Sequence, residues 1–174
     1  MNFYMQRFNT ILRLIAVLAL AAGCATGKKE DKQLAALRLH IESAGNAPES
    51  SQDISVLRSE PLLVTIANEP VLTEANIVAA KLLETPGGFE VEVKFDETGG
   101  WILEQNSSAY VGKHFAIFGQ WGDKMKDGRW LAAPLISHRI ADGTFVFTPD
   151  ASREEAKQLV AGLNRAAKKN ANIR

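Results

Sequence analysis

Ile77–Asp96 reads IVAAKLLETPGGFEVEVKFD and contains the clearest strand pattern in the chain. Its second half alternates strictly, with Phe89, Val91, Val93 and Phe95 on one face and charged residues between them. Successive side chains of a strand point to opposite faces of a sheet, so this alternation predicts a half-buried strand. The turn residues Pro-Gly-Gly precede it, and an apolar, β-branched run precedes the turn. The stretch therefore predicts an antiparallel hairpin.

Two further strands are predicted before this hairpin. Ala35–Glu42 alternates between apolar and polar residues. The predicted core face has Leu37, Leu39 and Ile41, and the predicted solvent face has Arg38, His40 and Glu42. Leu62–Ala67 is a second apolar run. The segment between them, Ser43–Asp53, is predicted to be a loop because it is rich in small and polar residues. Thr73–Asn76 is predicted to be a turn or a helix start.

The chain after the hairpin alternates between helix and strand signals. Asp96 can cap a helix over Gly99–Tyr110, and a capping box of Ser152 and Glu155 opens a second helix with an apolar stripe. Between them lie predicted strands His114–Trp121, Trp130–Ser137 and Thr144–Thr148, the last two joined by a predicted Asp142-Gly143 hairpin turn. This order predicts an α+β fold, an antiparallel sheet with two main helices packed on one side.

The N-terminus carries a pattern typical of export signals. Arg7 and Arg13 precede the apolar run Leu14–Ala22, and Gly23 and Cys24 follow it. Basic residues, a short apolar run and small residues before a cleavage site indicate a secretory signal. A cysteine directly after the small residues resembles the lipobox of bacterial lipoproteins, in which that cysteine becomes the lipidated N-terminus. The alternatives are an uncleaved N-terminal anchor and a simple secretory signal.

The predicted organisation is a signal helix at residues 1–23, a tether at 24–34, an α+β domain at 35–166 and a polar tail at 167–174. Without residues 1–23, the chain has 18 Lys and Arg residues and 20 Asp and Glu residues, which gives a net charge near −2. No basic surface is available for a phosphate backbone, so nucleic acid is not an expected partner. Cys24 is the sole cysteine, so no intrachain disulfide is expected, and a lipid would cap its thiol.

Catalytic and metal-binding patterns are weak in this sequence. The three histidines, His40, His114 and His138, are not spaced as paired metal ligands, and each is interpreted as a polar residue on an exposed sheet face. Ser107 and Ser108 lack the Gly-x-Ser-x-Gly elbow of a hydrolase. We therefore expect no metal, no cofactor, no small-molecule substrate and no enzymatic activity.

Two tryptophans bracket a polar, glycine-bounded loop at residues 122–128. Tryptophan is enriched where protein interfaces bind most strongly, and a protruding hairpin would expose the residues at its tip. The sequence therefore predicts a candidate interaction surface of Trp121, Lys124, Met125, Lys126 and Trp130. The alternative for each tryptophan is a place in the hydrophobic core, because large aromatic side chains bury much apolar area.

Several short stretches, in this order, resemble the head subdomain of the first periplasmic domain of SecD and SecDF, membrane subunits that assist protein export. They cover about residues 60–165 and comprise Glu69–Asn76 (EPVLTEAN), Gly87–Asp96 (GGFEVEVKFD), Gly112–Ile117 (GKHFAI), Ala133–Ile136 (APLI) and Thr148–Leu159 (TPDASREEAKQL). Leu37–Ile41 (LRLHI) resembles the strand that leads into that domain. The resemblance implies a structural or polypeptide-contacting module without catalytic residues. It does not extend to the proton-driven helices of that family, because no spanning segment is predicted after the signal.

The sequence thus predicts a lipid-anchored, non-enzymatic envelope protein whose SecDF-head-like domain contacts polypeptides or envelope proteins. An export role is the function that the resemblance suggests. The alternatives are an envelope hydrolase with an unrecognised site and a purely structural lipoprotein. Ala25 after the cysteine favours the outer membrane over the inner one in a cell with two membranes, with the domain facing the periplasm.

Overall fold

The computed structural model describes residues 34–43 and 48–172. The predicted signal, Cys24 and the predicted tether before Leu34 lie outside these residues. The described elements are, in chain order, β1 Ala36–Ile41, β2 Ser51–Val56, β3 Leu62–Ala67, β4 Leu72–Thr73, β5 Ile77–Thr85, β6 Gly88–Phe95, α1 Glu97–Ala109, β7 Phe115–Trp121, β8 Asp127–Ala132, β9 Thr144–Phe147 and α2 Arg153–Ala171.

The α+β class with antiparallel strands and two helices is confirmed, and the described strands divide among three sheets. The largest has the order β4-β1-β7-β8, another has the order β5-β6-β9, and β2 pairs with β3 alone. All of the strand pairs are antiparallel. The chain leaves the first sheet for β5 and β6, returns to it for β7 and β8, and joins the β5-β6-β9 sheet again at β9.

The predicted central hairpin is confirmed as β5 and β6. The two strands pair from Ile77 with Phe95 to Thr85 with Gly88, with an irregularity between Ile77 and Ala79. Val91 and Val93 are fully buried and Phe95 is nearly so, as the alternation predicts. This face lies in the main hydrophobic core, together with β1, β7 and both α-helices.

The Asp142-Gly143 hairpin prediction is wrong. Gly143 does turn the chain with a φ of 68°, but β9 pairs with β6 rather than with the preceding strand β8. β8 ends at Ala132, and Phe145 contacts Phe115 edge to face, with ring centroids 5.4 Å apart. Burial of this aromatic pair in the main core favours the non-local partner.

Both helices begin at polar side chains that cap them. Asp96 accepts a hydrogen bond from the backbone of Gly99 at 2.8 Å, so α1 starts at Glu97. The predicted capping box of Ser152 and Glu155 opens α2. That helix continues through Ala171 and so includes residues of the predicted polar tail, because Ala167 is still buried. No helix within residues 34–43 and 48–172 is both long and apolar enough to cross a membrane.

β2 is the strand that the sequence pattern missed, whereas its partner β3 lies at the predicted Leu62–Ala67. The composition of Ser51–Asp53 predicts a loop, yet this segment forms the start of β2 and pairs with Thr65–Ala67. The inward residues of β2 form a second hydrophobic cluster with Ala116 and the half-buried Trp130. Four of the six residues of β2 are polar and none of these is buried, so only Ile54 and Val56 indicate its burial.

The β2–β3 pair also explains a second correction, at His40. The alternation placed this side chain in solvent, but it is 5% exposed. His40 Nδ1 donates to the carbonyl of Ala67 at 2.9 Å, and its ring meets Trp130 edge to face. Burial lowers the pKa of His40, which favours the neutral ring. β1 is therefore covered on both faces.

Candidate functional site

The five residues of the predicted interaction surface do not share one exposed surface in the structure. Trp121 is 1% exposed and belongs to the main core, whereas Trp130 is half-buried in the second hydrophobic cluster. Lys124 and Lys126 are exposed and Met125 is half-buried. The prediction is therefore wrong for Trp121, which presents no free surface, and the exposed part of the set is reduced to the hairpin tip.

Burial of Trp121 follows from its neighbours. The ring lies in the main core at the end of β7, and the Arg129 guanidinium stands over it with 4.9 Å between Cζ and the ring centroid. A cation over an indole ring is a favourable arrangement. This contact joins the end of β7 to β8 near the hairpin tip, and the buried ring is inaccessible to a partner.

The hairpin tip has an unusual backbone. Lys124 and Met125 both have a φ of 54°, in the left-handed region, and Gly122 has a φ of 80°. Left-handed conformations are uncommon for residues with a side chain. The tip presents two lysines beside Asp123 and Asp127, so it carries no net charge of its own.

An ion-pair network joins the β2–β3 turn, β8 and the start of α2. Arg58 binds the Asp150 carboxylate through Nη2 and Nε, at 3.0 and 3.1 Å. Arg129 donates to the backbone oxygen of Asp150 at 3.1 Å and to Glu155 Oε2 at 2.8 Å. The hydrogen bond from Arg129 lowers the pKa of Glu155 to about 2.

We expect Glu155→Gln to lower the free energy of unfolding at pH 7 and to flatten its acid dependence. The pKa of Glu155 is about 2 in the folded protein against 4.5 ordinarily, so its contribution is present above about pH 4.5 and is lost as the pH falls toward 2. Glutamine still caps the helix. Urea unfolding at pH 7, 4.5 and 3 should show a gap between wild type and variant that narrows with acid; a gap that is constant over this range would contradict the ion-pair account.

A groove lies between β9 and the segment that leads into it, at residues 133–143. Its volume is about 550 Å³, and its walls include Leu135 and Val146, which are 57% and 40% exposed. The half-buried Ile140 and the buried Phe115 and Phe145 also line it. Sequence analysis missed this groove, because it depends on the pairing of β9 with β6. Leu135, an apolar residue in Ala133–Ile136, is the one sequence signal for the groove, and its exposure is visible only in the structure.

The charged side chains of the groove are engaged within the protein. Arg139 pairs with Glu104 of α1, and Asp142 Oδ1 accepts from the backbone of Thr144 at 3.0 Å. His138 Nδ1 and the neighbouring Ser137 Oγ are 2.9 Å apart. The groove therefore combines apolar walls with a rim on which Arg139 is ion-paired and Asp142 accepts from the backbone.

The serines and histidines that could suggest hydrolysis have structural contacts. Ser107 Oγ donates to Glu104 O at 3.1 Å and accepts from Ile140 N at 2.8 Å, and Ser108 Oγ also donates to Glu104 O. His114 Nδ1 lies 2.6 Å from Glu42 Oε2. Within the described residues, no group of three histidine, cysteine or acidic side chains is placed to hold a metal.

Comparisons with known proteins agree with the resemblance found in the sequence. A family model described as the SecDF P1 head subdomain matches residues 49–167, more than half of the chain. Among proteins of curated function, none matches the sequence. The sequence-level prediction of a SecDF-head-like module is thereby confirmed.

Two solved structures share the fold. One belongs to SecDF, described as a membrane component that enhances protein export; it is 22% identical, with a TM-score of 0.53 over 76% of this chain and 63% of that one. The other is SecDF in a super-membrane-facing form, 21% identical, with a TM-score of 0.54 over 76% of this chain and 19% of that one. The chain thus spans less than two thirds of either relative.

Proposed function

Because the chain belongs to the SecDF P1 head subdomain family, we propose that it is a lipid-anchored, non-enzymatic envelope protein that contacts polypeptides in connection with protein export. The observation that carries this proposal is the family match over residues 49–167, which includes both α-helices and eight of the nine described strands in whole or large part. A solved relative is described as a membrane component that enhances protein export. We extend that role to this domain.

The anchor in this proposal is a lipid on Cys24. Nine residues separate Cys24 from Leu34, where the described domain begins, and an extended chain between these two residues spans at most about 36 Å. The domain would thus work close to the bilayer, facing the periplasm. Ala25 after the cysteine supports the outer membrane in a cell with two membranes, and other envelope proteins are candidate partners beside polypeptides.

The groove beside β9 supports binding rather than catalysis. Its volume of about 550 Å³ is in the range of ligand pockets. Its walls are largely apolar, and Arg139 and Asp142 are each engaged by another group of the protein. A surface of this kind suits an apolar segment of an unfolded polypeptide better than a reaction that needs free acid and base groups.

A binding assay with the purified full chain in detergent tests the proposal. The probe is a reduced and alkylated polypeptide that cannot refold, and the matched control is the same polypeptide in its native state. We expect the full chain to retain the unfolded form at least tenfold better than the native form. Equal retention of both forms, or of neither, would contradict a polypeptide-contacting role.

A further inference from the structure

We propose that the groove beside β9 binds an extended, uncharged polypeptide segment by adding it as a strand to the outer edge of the β5-β6-β9 sheet. This inference rests on the proposed polypeptide contact and adds its place and its mode. The partner is identified by the backbone hydrogen bonds that the sheet edge offers and by the apolar, charge-neutral walls beside that edge.

One edge of this sheet is covered by a side chain, and the other is open. At the β5 edge, the side-chain amide of Asn164 accepts from Ala80 N at 2.9 Å and donates to Ala80 O at 2.8 Å. This amide on α2 thus takes the hydrogen-bonding positions of a neighbouring strand. Open edges invite pairing with other chains, and proteins commonly cover them. In the described part of the chain, β9 forms the opposite edge and pairs with β6 alone.

The orientation of the β9 backbone follows from one hydrogen bond. Phe95 N–H donates to Gly143 O at 2.9 Å, so the Gly143 carbonyl points toward β6. Backbone groups alternate along a strand, and this places those of Phe145 toward β6 and those of Val146 outward. Among the described residues, no backbone hydrogen bond from another strand reaches the outer side of Val146. Its N–H and C=O are therefore available to an incoming strand.

The side chains beside this edge suit a short extended segment. β9 has four residues, which corresponds to about 13 Å of edge at about 3.3 Å per residue. Leu135 and Val146 contribute exposed apolar surface on the groove walls, and the half-buried Ile140 packs against the main core. Alternate side chains of an added strand would pack on these walls, and the others would face solvent.

The charged groups that line the groove favour a polypeptide segment without charged side chains. Arg139 is paired with Glu104, and Asp142 is an exposed carboxylate whose Oδ1 accepts from the backbone of Thr144. An acidic side chain would gain no free opposite charge in the groove. A basic one would gain only an exposed pair with Asp142, which offsets little of the cost of losing its water. The groove thus selects extended apolar segments, such as those that an unfolded chain exposes and a folded protein buries.

Backbone-modified peptides test the mode of binding on the unaltered full chain. The probe is a seven-residue peptide of alternating valine and threonine, and two further versions carry N-methyl groups on either the valines or the threonines. An added strand bonds through one of its edges only, so one methylated version should bind at least tenfold more weakly and the other within about threefold. Equal binding of all three versions would overturn strand addition.

Substitutions on the groove walls test its location. Leu135→Lys and Val146→Lys place a charge in the groove, and both should weaken binding of the unmethylated peptide at least tenfold. Leu63→Lys is the matched control, because Leu63 is 78% exposed on β3 and does not line the groove; it should leave binding within twofold. A thermal unfolding midpoint for each variant confirms that it folds.

The outcomes separate this inference from the function on which it rests. If the full chain retains no unfolded polypeptide, the proposed function fails, and the inference fails with it. If the full chain retains unfolded polypeptide while both groove variants bind as wild type does, the inference alone is overturned and the contact lies elsewhere. Loss with the groove variants and with one methylated peptide supports both.

Discussion

Replacing Cys24 with serine is expected to move nearly all of the protein from the membrane fraction to the soluble fraction. Serine has no thiol to carry a lipid, and lipid chains are the proposed membrane contact. Stable attachment needs two or more acyl chains, so losing them should release the domain outright. The measurement is ultracentrifugation of lysed cells, followed by immunodetection of the full chain in both fractions.

Thr26→Ser is the matched control, because it lies two residues away and keeps the cysteine. It should remain in the membrane fraction. The released Cys24→Ser protein should unfold at the same temperature as the membrane-bound form extracted in detergent, since residue 24 precedes the described domain. If the Cys24→Ser variant stays in the membrane fraction although residues 1–23 have been removed from it, lipid on Cys24 is not the anchor.

Truncating Trp121 to alanine is expected to lower the free energy of unfolding by about 3–5 kcal/mol, the usual cost of removing a buried aromatic side chain. The ring is 1% exposed, and the change would leave a cavity beneath Arg129. Lys124→Ala, at the exposed tip of the same hairpin, should change stability by no more than about 0.5 kcal/mol. Urea unfolding of the full chain in detergent measures both.

This pair of variants separates a core residue from an interface residue. If Trp121 belongs to the core, its substitution changes stability strongly, and it affects binding only through unfolding. If Trp121→Ala instead leaves stability unchanged and weakens polypeptide binding, the sequence-based assignment of this tryptophan to an interaction surface is right. The burial of the ring, and its contact with Arg129, would then be contradicted.

The parts of the fold that depend on local patterns could be predicted from the sequence. The β5–β6 hairpin and the Ser152 capping box each involve residues close in the chain, and the structure has both. The short motifs quoted above each predict a turn, a strand or a helix. Their order along the chain indicates the family, which the family model over residues 49–167 confirms.

The parts that depend on non-local pairing could not be predicted in this way. Asp142-Gly143 is a sound turn signal, but it does not reveal that Phe145 and Phe147 pair with β6. The polar residues of β2 concealed a strand, and the burial of His40 depends on its contacts with Ala67 of β3 and Trp130 of β8, which are distant in the chain. The groove combines β9 with residues 133–143, so it exists only once those pairings are known.

Crosslinking in native membranes tests the central claim most directly, that an anchored SecDF-head-like domain contacts polypeptides during export. A photoreactive amino acid replaces Leu135 in the full chain, and a second protein carries it at Leu63 as the control. Export of a labelled secretory polypeptide is halted before illumination. The account predicts a crosslink to that polypeptide from position 135, with little from position 63. Absence of a crosslink from position 135, while the protein remains in the membrane and folded, would contradict it.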